Sequence, residues 1–260
     1  MGKAVLFDLL EGVATITLNR PDRYNAVNQD LVDGISKSLQ KCEQDEAIRA
    51  VVITGSGRGF CAGADMSVFG EDVTPEQRAQ YIIDEYQPLM NQFFTLKKPI
   101  IGAINGTAAG VGAAFALACD FRVMSAQSGI LYAFVNIGLG PDGGASWLLS
   151  RQVGYSKALE IAISGNKLKG EECLSLGLTN RLVDDQYILS EAQSWAKKLA
   201  NCPTLAVGIA KEDIFFSMTN NLNDTIAFEA NQQIEAFKSH DLKEGVTAFI
   251  EKRKPNFLGK

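Results

Sequence analysis

Residues 50–65 read Ala50-Val51-Val52-Ile53-Thr54-Gly55-Ser56-Gly57-Arg58-Gly59-Phe60-Cys61-Ala62-Gly63-Ala64-Asp65. The first five form a short, unbroken apolar run, the pattern of a strand covered on both faces. A glycine-rich loop follows, and its end, from Phe60 to Asp65, is built almost entirely of small residues. The pattern then returns. Lys98-Pro99 breaks a preceding helix, residues 100–104 read as another buried strand, and Gly106-Thr107-Ala108-Ala109-Gly110-Val111-Gly112 is a second small-residue loop. The spacing predicts a tightly packed helix over 108–118. Buried strand, glycine loop and helix in succession indicate an α/β architecture.

Outward from this centre, residues 13–19 (Val-Ala-Thr-Ile-Thr-Leu-Asn) alternate and predict a half-buried strand, stopped by Arg20-Pro21-Asp22. Leu31, Ile35 and Leu39 recur at helical spacing within 28–42. Thr74 and Pro75 mark a helix start, as N-cap and first position, and a helix of about 20 residues to Leu96 is expected. Further strands are expected at 121–124, 130–134 and 181–183, with helices at 145–153, 156–164 and 171–176. From Leu189 onward the pattern is helical, broken at Pro203. No internal repeat and no low-complexity segment is evident.

A length of 260 residues suits one α/β domain with a small appendage. Apolar residues at 46% and charged residues at 21% are ordinary globular values that supply a core and exclude disorder. The net charge of -5 gives no basic footprint for nucleic acid. His240 is the single histidine, so a two-histidine zinc motif is excluded and any Ser-His or Cys-His mechanism would depend on that residue, which reads as part of a polar loop, Lys238-Ser239-His240-Asp241. The five cysteines are scattered and lack a C-x-x-C pair, which predicts a reduced, cytoplasmic protein. Residues 1–10 hold Lys3 and Asp8 and lack a signal-peptide apolar region. The apolar stretch 99–119 is interrupted by Asn105 and several glycines and reads as buried core rather than a membrane span.

Gly138-Leu139-Gly140-Pro141-Asp142-Gly143 fits the letter of G-x-G-x-x-G. Dinucleotide binding is a poor reading, because Asp142 would face the pyrophosphate and Pro141 withholds a backbone donor. Asp142 is the one charged residue between Gly138 and Gly144, at the mouth of a helix. It reads either as a helix N-cap or as a general base or nucleophile held by a tight turn. Cys61 has no histidine near it in sequence and reads as a packed small residue. Taken singly, each glycine loop is a close-packing device. Taken with Asp142, the two loops suggest a pair of backbone N–H groups converging on a polarised oxygen beside a carboxylate.

These residues resemble the crotonase (enoyl-CoA hydratase/isomerase) superfamily along essentially the whole chain. The resemblance runs through Leu18-Asn19-Arg20-Pro21 with Asn25-Ala26, Val52-Ile53-Thr54-Gly55, Gly59 to Asp65, Lys98-Pro99-Ile100-Ile101, Asn105-Gly106 and Ala118-Cys119-Asp120. It closes on Glu244-Gly245-Val246-Thr247-Ala248-Phe249-Ile250-Glu251-Lys252-Arg253. It implies a spiral of ββα repeats over 1–195 that holds an acyl-CoA site, and a C-terminal helical trimerisation region over 196–260. It implies a homotrimer or dimer of trimers acting on an acyl-CoA thioester. Coenzyme A is then part of the substrate, and no metal, separate cofactor, nucleic acid or membrane partner is implied. The motifs put the thioester oxygen on the main-chain N–H groups of Ala64 and Val111. The family has glycine at the second, but a backbone donor survives that change. Arg23, Tyr24, Ala26, Ala62, Asp65 and Met66 match positions that contact CoA. Phe249 and Lys252 match positions that approach CoA from a neighbouring subunit.

Departures from the family pattern bear on the reaction. Its hydratases use two glutamates, and Ala114 and Phe134 stand at those positions here. Adding water needs a base for the water and an acid for carbon, so simple hydration is disfavoured. The acidic position is instead Asp142, a placement that resembles the Δ3,Δ2-enoyl-CoA isomerase and 1,2-epoxyphenylacetyl-CoA isomerase branch. Trp147-Leu148-Leu149 and the ending Phe257-Leu258-Gly259-Lys260 favour the latter. The resemblance therefore implies an isomerase that moves a double bond, or opens a ring epoxide, with Asp142 as proton shuttle. Phe69, Phe134, Val135 and Ile137 are candidates for lining the acyl pocket. Alternatives are a hydratase using Asp142 and a bound water, a dehalogenase-like aspartate nucleophile, and a non-catalytic acyl-CoA-binding protein. The dehalogenase reading is weakened because residues 93–105 contain no histidine. Apolar neighbours would raise the Asp142 pKa and a helix N-terminus would lower it; both directions stay open in the sequence.

Overall fold

The computed structural model describes residues 3–69 and 73–260; the Phe69 side chain lies outside the described part. The chain opens on an antiparallel hairpin, β1 (Val5–Leu10) and β2 (Val13–Leu18), whose turn places Glu11 and Gly12 at positive φ. Helix α1 (Gln29–Gln44) follows, with the Asn28 side chain accepting the Leu31 N–H at 3.1 Å as its N-cap. Next come β3 (Ala50–Gly55), α2 (Pro75–Tyr81), a π-helical turn over Ile82–Tyr86, and α3 (Gln87–Thr95). The Thr74 capping box starts α2 as expected. Then the chain forms β4 (Ile100–Ala103), β5 (Thr107–Ala109) and α4 (Val111–Ala118). The following turn forms β6 (Phe121–Met124), β7 (Gly129–Leu131), α5 (Ala145–Val153) and α6 (Tyr155–Ser164). The core closes with β8 (Lys167–Lys169), α7 (Gly170–Ser175) and β9 (Arg181–Leu182). Four helices end the chain: α8 (Ile188–Ala200), α9 (Thr204–Ser217), α10 (Leu222–Lys238) and α11 (His240–Glu251).

The strands form a six-stranded sheet, β1-β2-β3-β4-β6-β9, parallel except for β1, and a three-stranded sheet, β5-β7-β8. Cys61 pairs with Ala108, which adds the loop after β3 to the small sheet. Each successive turn therefore lays one segment in the large sheet and one in the small sheet, then runs into helix. That is the ββα spiral.

The large sheet is buried on both faces, and the period-2 alternation of β3 divides its side chains between them. Val51 and Ile53 pack in one core with Leu31, Ile35 and Leu39 of α1. Ala50 and Val52 pack in the other with Ile188, Ala192, Ala196 and Ala200 of α8. Each buried Ile or Val contributes about 1.5–3 kcal/mol by leaving water. Helix α8 explains the first departure from expectation. Strand β2 is buried almost throughout rather than half-buried, because α8 covers its second face, where Gln193 donates to the Thr15 hydroxyl at 3.2 Å.

Other departures are local. Ala108 and Ala109 belong to strand β5, and the helix expected from residue 108 begins at Val111, because Gly110, at φ 53°, turns the chain between them. The strand expected at 130–134 ends at Leu131. The helix expected over 74–96 forms in two parts joined by the π turn. Strands β1 and β8 have no expected counterpart. One is a partly exposed edge strand carrying Asp8, and the other is the three-residue Lys-Leu-Lys segment.

Arg122 of β6 ties the layers together. Its buried guanidinium donates to the carbonyls of Leu178 (2.6 Å) and Cys119 (2.6 Å), and to Leu117 (3.3 Å) at the end of α4. The Leu178 and Cys119 carbonyls have no other donor among the described residues, whereas Leu117 also accepts from the Gln152 amide at 3.2 Å. Replacing Arg122 with Met is expected to lower stability by about 3 kcal/mol, measured by urea unfolding.

Candidate active site

The site grows from the pairing between the end of the 56–63 loop and β5. The Cys61 N–H donates to the Thr107 carbonyl at 3.2 Å, and the Ala109 N–H donates to the Cys61 carbonyl at 2.8 Å. One step on, both segments turn at a glycine with positive φ, Gly63 at 92° and Gly110 at 53°. The two glycines face each other. A Cβ on Gly63 would lie 2.9 Å from the Ala109 carbonyl oxygen, and one on Gly110 would lie 3.7 Å from the Gly63 Cα. Side chains are thus excluded from this contact, which explains the small residues legible in the sequence. The next N–H groups along are those of Ala64 and Val111. Neither donates to a backbone carbonyl among the described residues. The Val111 N–H opens α4, where the helix dipole favours negative charge.

Asp142 arrives from the other side. A Cβ on its neighbour Gly143 (φ 57°) would touch Val111 Cγ2 at 2.8 Å, so the carboxylate segment is packed directly on the start of α4. The N-cap reading of Asp142 does not hold. Gly144, in the left-handed region, caps α5, and Asp142 contributes only its backbone carbonyl, which accepts the Ala145 N–H at 3.0 Å. The carboxylate oxygen Oδ1 is buried with no hydrogen-bond partner. Burial pushes the Asp142 carboxyl up to about 6, against the opposing pull of the Arg78 guanidinium. Burial therefore wins the contest that the sequence left open.

The two hydratase positions are apolar and enclosed: Ala114 is fully buried and Phe134 almost so. The Phe134 ring packs beside Gly110. Val135 and Ile137 lie exposed in a 3-10 turn. The Cys61 thiol is buried, donates to the Asn25 carbonyl at 3.2 Å, and is pushed up to about 12 by burial, so it stays a thiol. His240 is the first residue of α11 rather than part of a loop, its Nδ1 3.3 Å from Asp241.

The segments expected to meet CoA lie side by side. Ala62 N–H donates to the Tyr24 carbonyl at 2.9 Å, and Val27 N–H donates to the Gly63 carbonyl at 2.7 Å. Arg23, Tyr24, Ala62 and Met66 are exposed there, while Ala26 is nearly buried. Asp65 is engaged within the chain, in an ion pair with Arg20 at 2.8 Å and accepting the Ser67 hydroxyl at 2.9 Å. Asn25, quoted above only as part of a motif, is the brace: its buried amide donates to the Gly59 and Phe60 carbonyls at 2.9 and 3.1 Å. Phe249 and Lys252 lie apart from this cluster on the exposed end of α11. Arg78 and Tyr86, both from the helical segment after residue 74, approach Asp142 and escaped the sequence reading. Their helix carries no motif, and only the long-range packing of the π turn and α3 against α4 and α5 reveals what the segment faces.

This fold is that of a known class. The chain belongs to the enoyl-CoA hydratase/isomerase family, which it matches over residues 8–260. It is 38% identical to 1,2-epoxyphenylacetyl-CoA isomerase of Escherichia coli K12, over the full length of both chains. It is 34% identical to the short-chain-enoyl-CoA hydratase of Clostridium acetobutylicum, over 93% of this chain and 92% of that one. A crystal structure of an enoyl-CoA hydratase from Polaromonas sp. JS666 has the same crotonase fold, with a TM-score of 0.92 at 31% identity, covering 97% and 99% of the two chains. Among the described residues no helix is long and apolar enough to cross a membrane.

The raised Asp142 pKa carries a stability signature. Below the ordinary carboxyl range both folded and unfolded chains hold the proton. Between about 4 and 6 the folded chain keeps it longer, and above 6 a buried charge costs stability. The Asp142→Asn variant is therefore expected to gain about 2–3 kcal/mol on the wild type between pH 4 and pH 8. Urea unfolding of both proteins at the two pH values reads this; a constant difference would place the folded pKa near its ordinary value.

Proposed function

We propose that the protein is an acyl-CoA isomerase in which Asp142 moves one proton between two carbons of the acyl chain. The observation that carries this reading is a half-buried carboxylate with its Oδ1 buried and unpaired, raised to about 6 and set beside the start of α4. A base matched to near-neutral pH abstracts and returns protons with the least mismatch. For a 3-enoyl thioester, the carboxylate takes a proton from C2 and the electron pair moves onto the thioester oxygen. The Ala64 and Val111 N–H groups hold that oxyanion. The carboxylic acid then delivers the same proton to C4, leaving the double bond between C2 and C3. No water is consumed and no second carboxylate is needed, which accords with the enclosed Ala114 and Phe134. Each N–H donor supplies about 3 kcal/mol to the enolate-like transition state. A ring epoxide with a CH2 group next to the thioester offers the same acidic carbon, and the isomerase relative from Escherichia coli supports that substrate class.

In this reading CoA lies along Arg23, Tyr24, Ala26, Ala62, Asp65 and Met66, and no group beyond the thioester itself takes part. Phe249 and Lys252 reach the CoA of a neighbouring protomer in a homotrimer or dimer of trimers. The apolar exposure of α10 and α11, with Phe249 85% and Phe237 68% exposed, supports such an assembly.

A second reading, hydration by Asp142 and a bound water, is favoured by the hydratase relatives. An absorbance assay separates the two. Purified protein is expected to raise enoyl-thioester absorbance from trans-3-hexenoyl-CoA and to leave trans-2-hexenoyl-CoA largely intact. Fast loss of the second with silence on the first would overturn the isomerase. Asp142→Ala is expected to abolish turnover while still binding the CoA ester. Val111→Pro tests the donor against Val111→Ala, which loses the same Cγ2 contact with Gly143 but keeps the N–H, since proline is tolerated at the first helical position and withdraws the N–H. It is expected to keep the fold and lower kcat by about 10²–10³.

A further inference from the structure

The π-helical turn between α2 and α3 ends at Tyr86. Such turns displace the helix register by one residue and gather at functional sites. Tyr86 is turned inward, only 4% exposed, with its ring edge-on to Tyr81 at 5.3 Å and to Phe115 of α4 at 6.5 Å. Its Cδ2 lies 3.8 Å from where a Cβ on Gly143 would be, so the ring adjoins the Asp142 segment. It also lines a cavity of about 240 Å³, with Gly143, Gly144, Met90, Trp147 and Leu148 among the walls. A cavity of about 150 Å³ already accepts benzene, so this one has room for a six-membered ring with a substituent.

The hydroxyl is what sets Tyr86 apart. It makes no hydrogen bond to a described residue. The other deeply buried tyrosine, Tyr132, behaves conventionally and donates to the Ala145 carbonyl at 3.0 Å. A guest that displaces water from this space has to supply the hydroxyl with a partner, because a hydrogen bond left unmade there costs about 1–3 kcal/mol. Burial first, then the neighbouring Tyr81 and Asp142, hold the Tyr86 phenol well above its ordinary range, so it is a neutral O–H donor. The Tyr86 hydroxyl is thus left without a partner beside an apolar space, and the buried, unpartnered Oδ1 of Asp142 belongs to the residue next to Gly143 in the wall of that space. The two are not bonded to each other. A guest that fills the space and carries an oxygen within reach of the hydroxyl satisfies that donor.

We infer that Tyr86 is a specificity-determining residue that donates a hydrogen bond to an oxygen carried on the acyl group near its reacting carbons, so that the cavity selects an oxygen-bearing ring over a plain hydrocarbon. The inference rests on the reading of this cavity as the acyl site. A site built around a buried donor discriminates strongly against a ligand that leaves the donor unpaired.

The test is calorimetric binding of two non-isomerising probes that differ by one ortho oxygen, phenylacetyl-CoA and 2-hydroxyphenylacetyl-CoA. Wild type is expected to prefer the hydroxylated ester by about tenfold or more. In Tyr86→Phe, which removes only the hydroxyl, that preference is expected to fall within about twofold. Comparing two affinities within one variant cancels any effect on folding. Absence of the preference in wild type, or its survival in Tyr86→Phe, would overturn the inference. Asp142→Ala reads the isomerase proposal separately. Undiminished turnover of trans-3-hexenoyl-CoA by that variant, with the hydroxyl preference intact, would remove the proton shuttle and leave the Tyr86 assignment standing.

Discussion

The pairing of Cys61 with Ala108 joins two consecutive turns of the spiral, and the proposed chemistry depends on it. It brings Gly63 and Gly110 together, where a side chain at Gly63 would meet the Ala109 carbonyl and the positive φ of both positions favours glycine. Once that contact exists, the N–H groups that follow have left their strands and have no carbonyl to meet. An unpaired backbone donor is costly when buried and useful when an anion forms beside it. Asn25 holds the first loop in place from behind, donating to its Gly59 and Phe60 carbonyls while accepting the Arg20 N–H of its own segment. Arg122 secures the far end of α4, whose near end presents the second donor. The arrangement is therefore a property of stacked backbone, braced by two polar side chains.

Around Asp142 three influences oppose one another. Desolvation raises the carboxyl, and both Arg78 and the start of a helix lower it. The outcome, about 6, reflects how the turn is built. Because Gly144 caps α5, the Asp142 side chain is released from the N-cap hydrogen bonds that would have held it low. The glycine pair Gly143-Gly144 thus serves the carboxylate indirectly, by taking over a structural duty that an aspartate at a helix mouth would ordinarily perform.

The fold was legible in the sequence where local pattern and tertiary environment agree. The apolar run 50–54, the helical spacing within 28–42 and the capping residue Thr74 became a buried strand and two helices. It was illegible where tertiary pairing overrides propensity. Ala108-Ala109 sits in an alanine-rich, helix-favouring stretch, yet it is held extended by hydrogen bonds to Cys61 and to β7. Lys167-Leu168-Lys169 has no strand signature and pairs only because β7 offers an edge. At the site, Ala64, Val111 and Asp142 lie in glycine-marked turns whose tightness shows in composition. Arg78 and Tyr86 sit on a helix whose sequence says nothing about what it faces, and only a register shift of one residue aims Tyr86 inward.

The use of main-chain donors has a consequence for heredity. A single substitution at Ala64 or Val111 changes the side chain and leaves the N–H in place, unless it introduces proline. The wall residues around Asp142 have no such protection, since each side chain there is itself the surface a substrate meets. Random mutation in a lineage built this way reaches the acyl cavity freely and the oxyanion-binding backbone hardly at all. Descendants of such a chain would therefore diverge first in which thioester they accept, and only much later in their ability to polarise one.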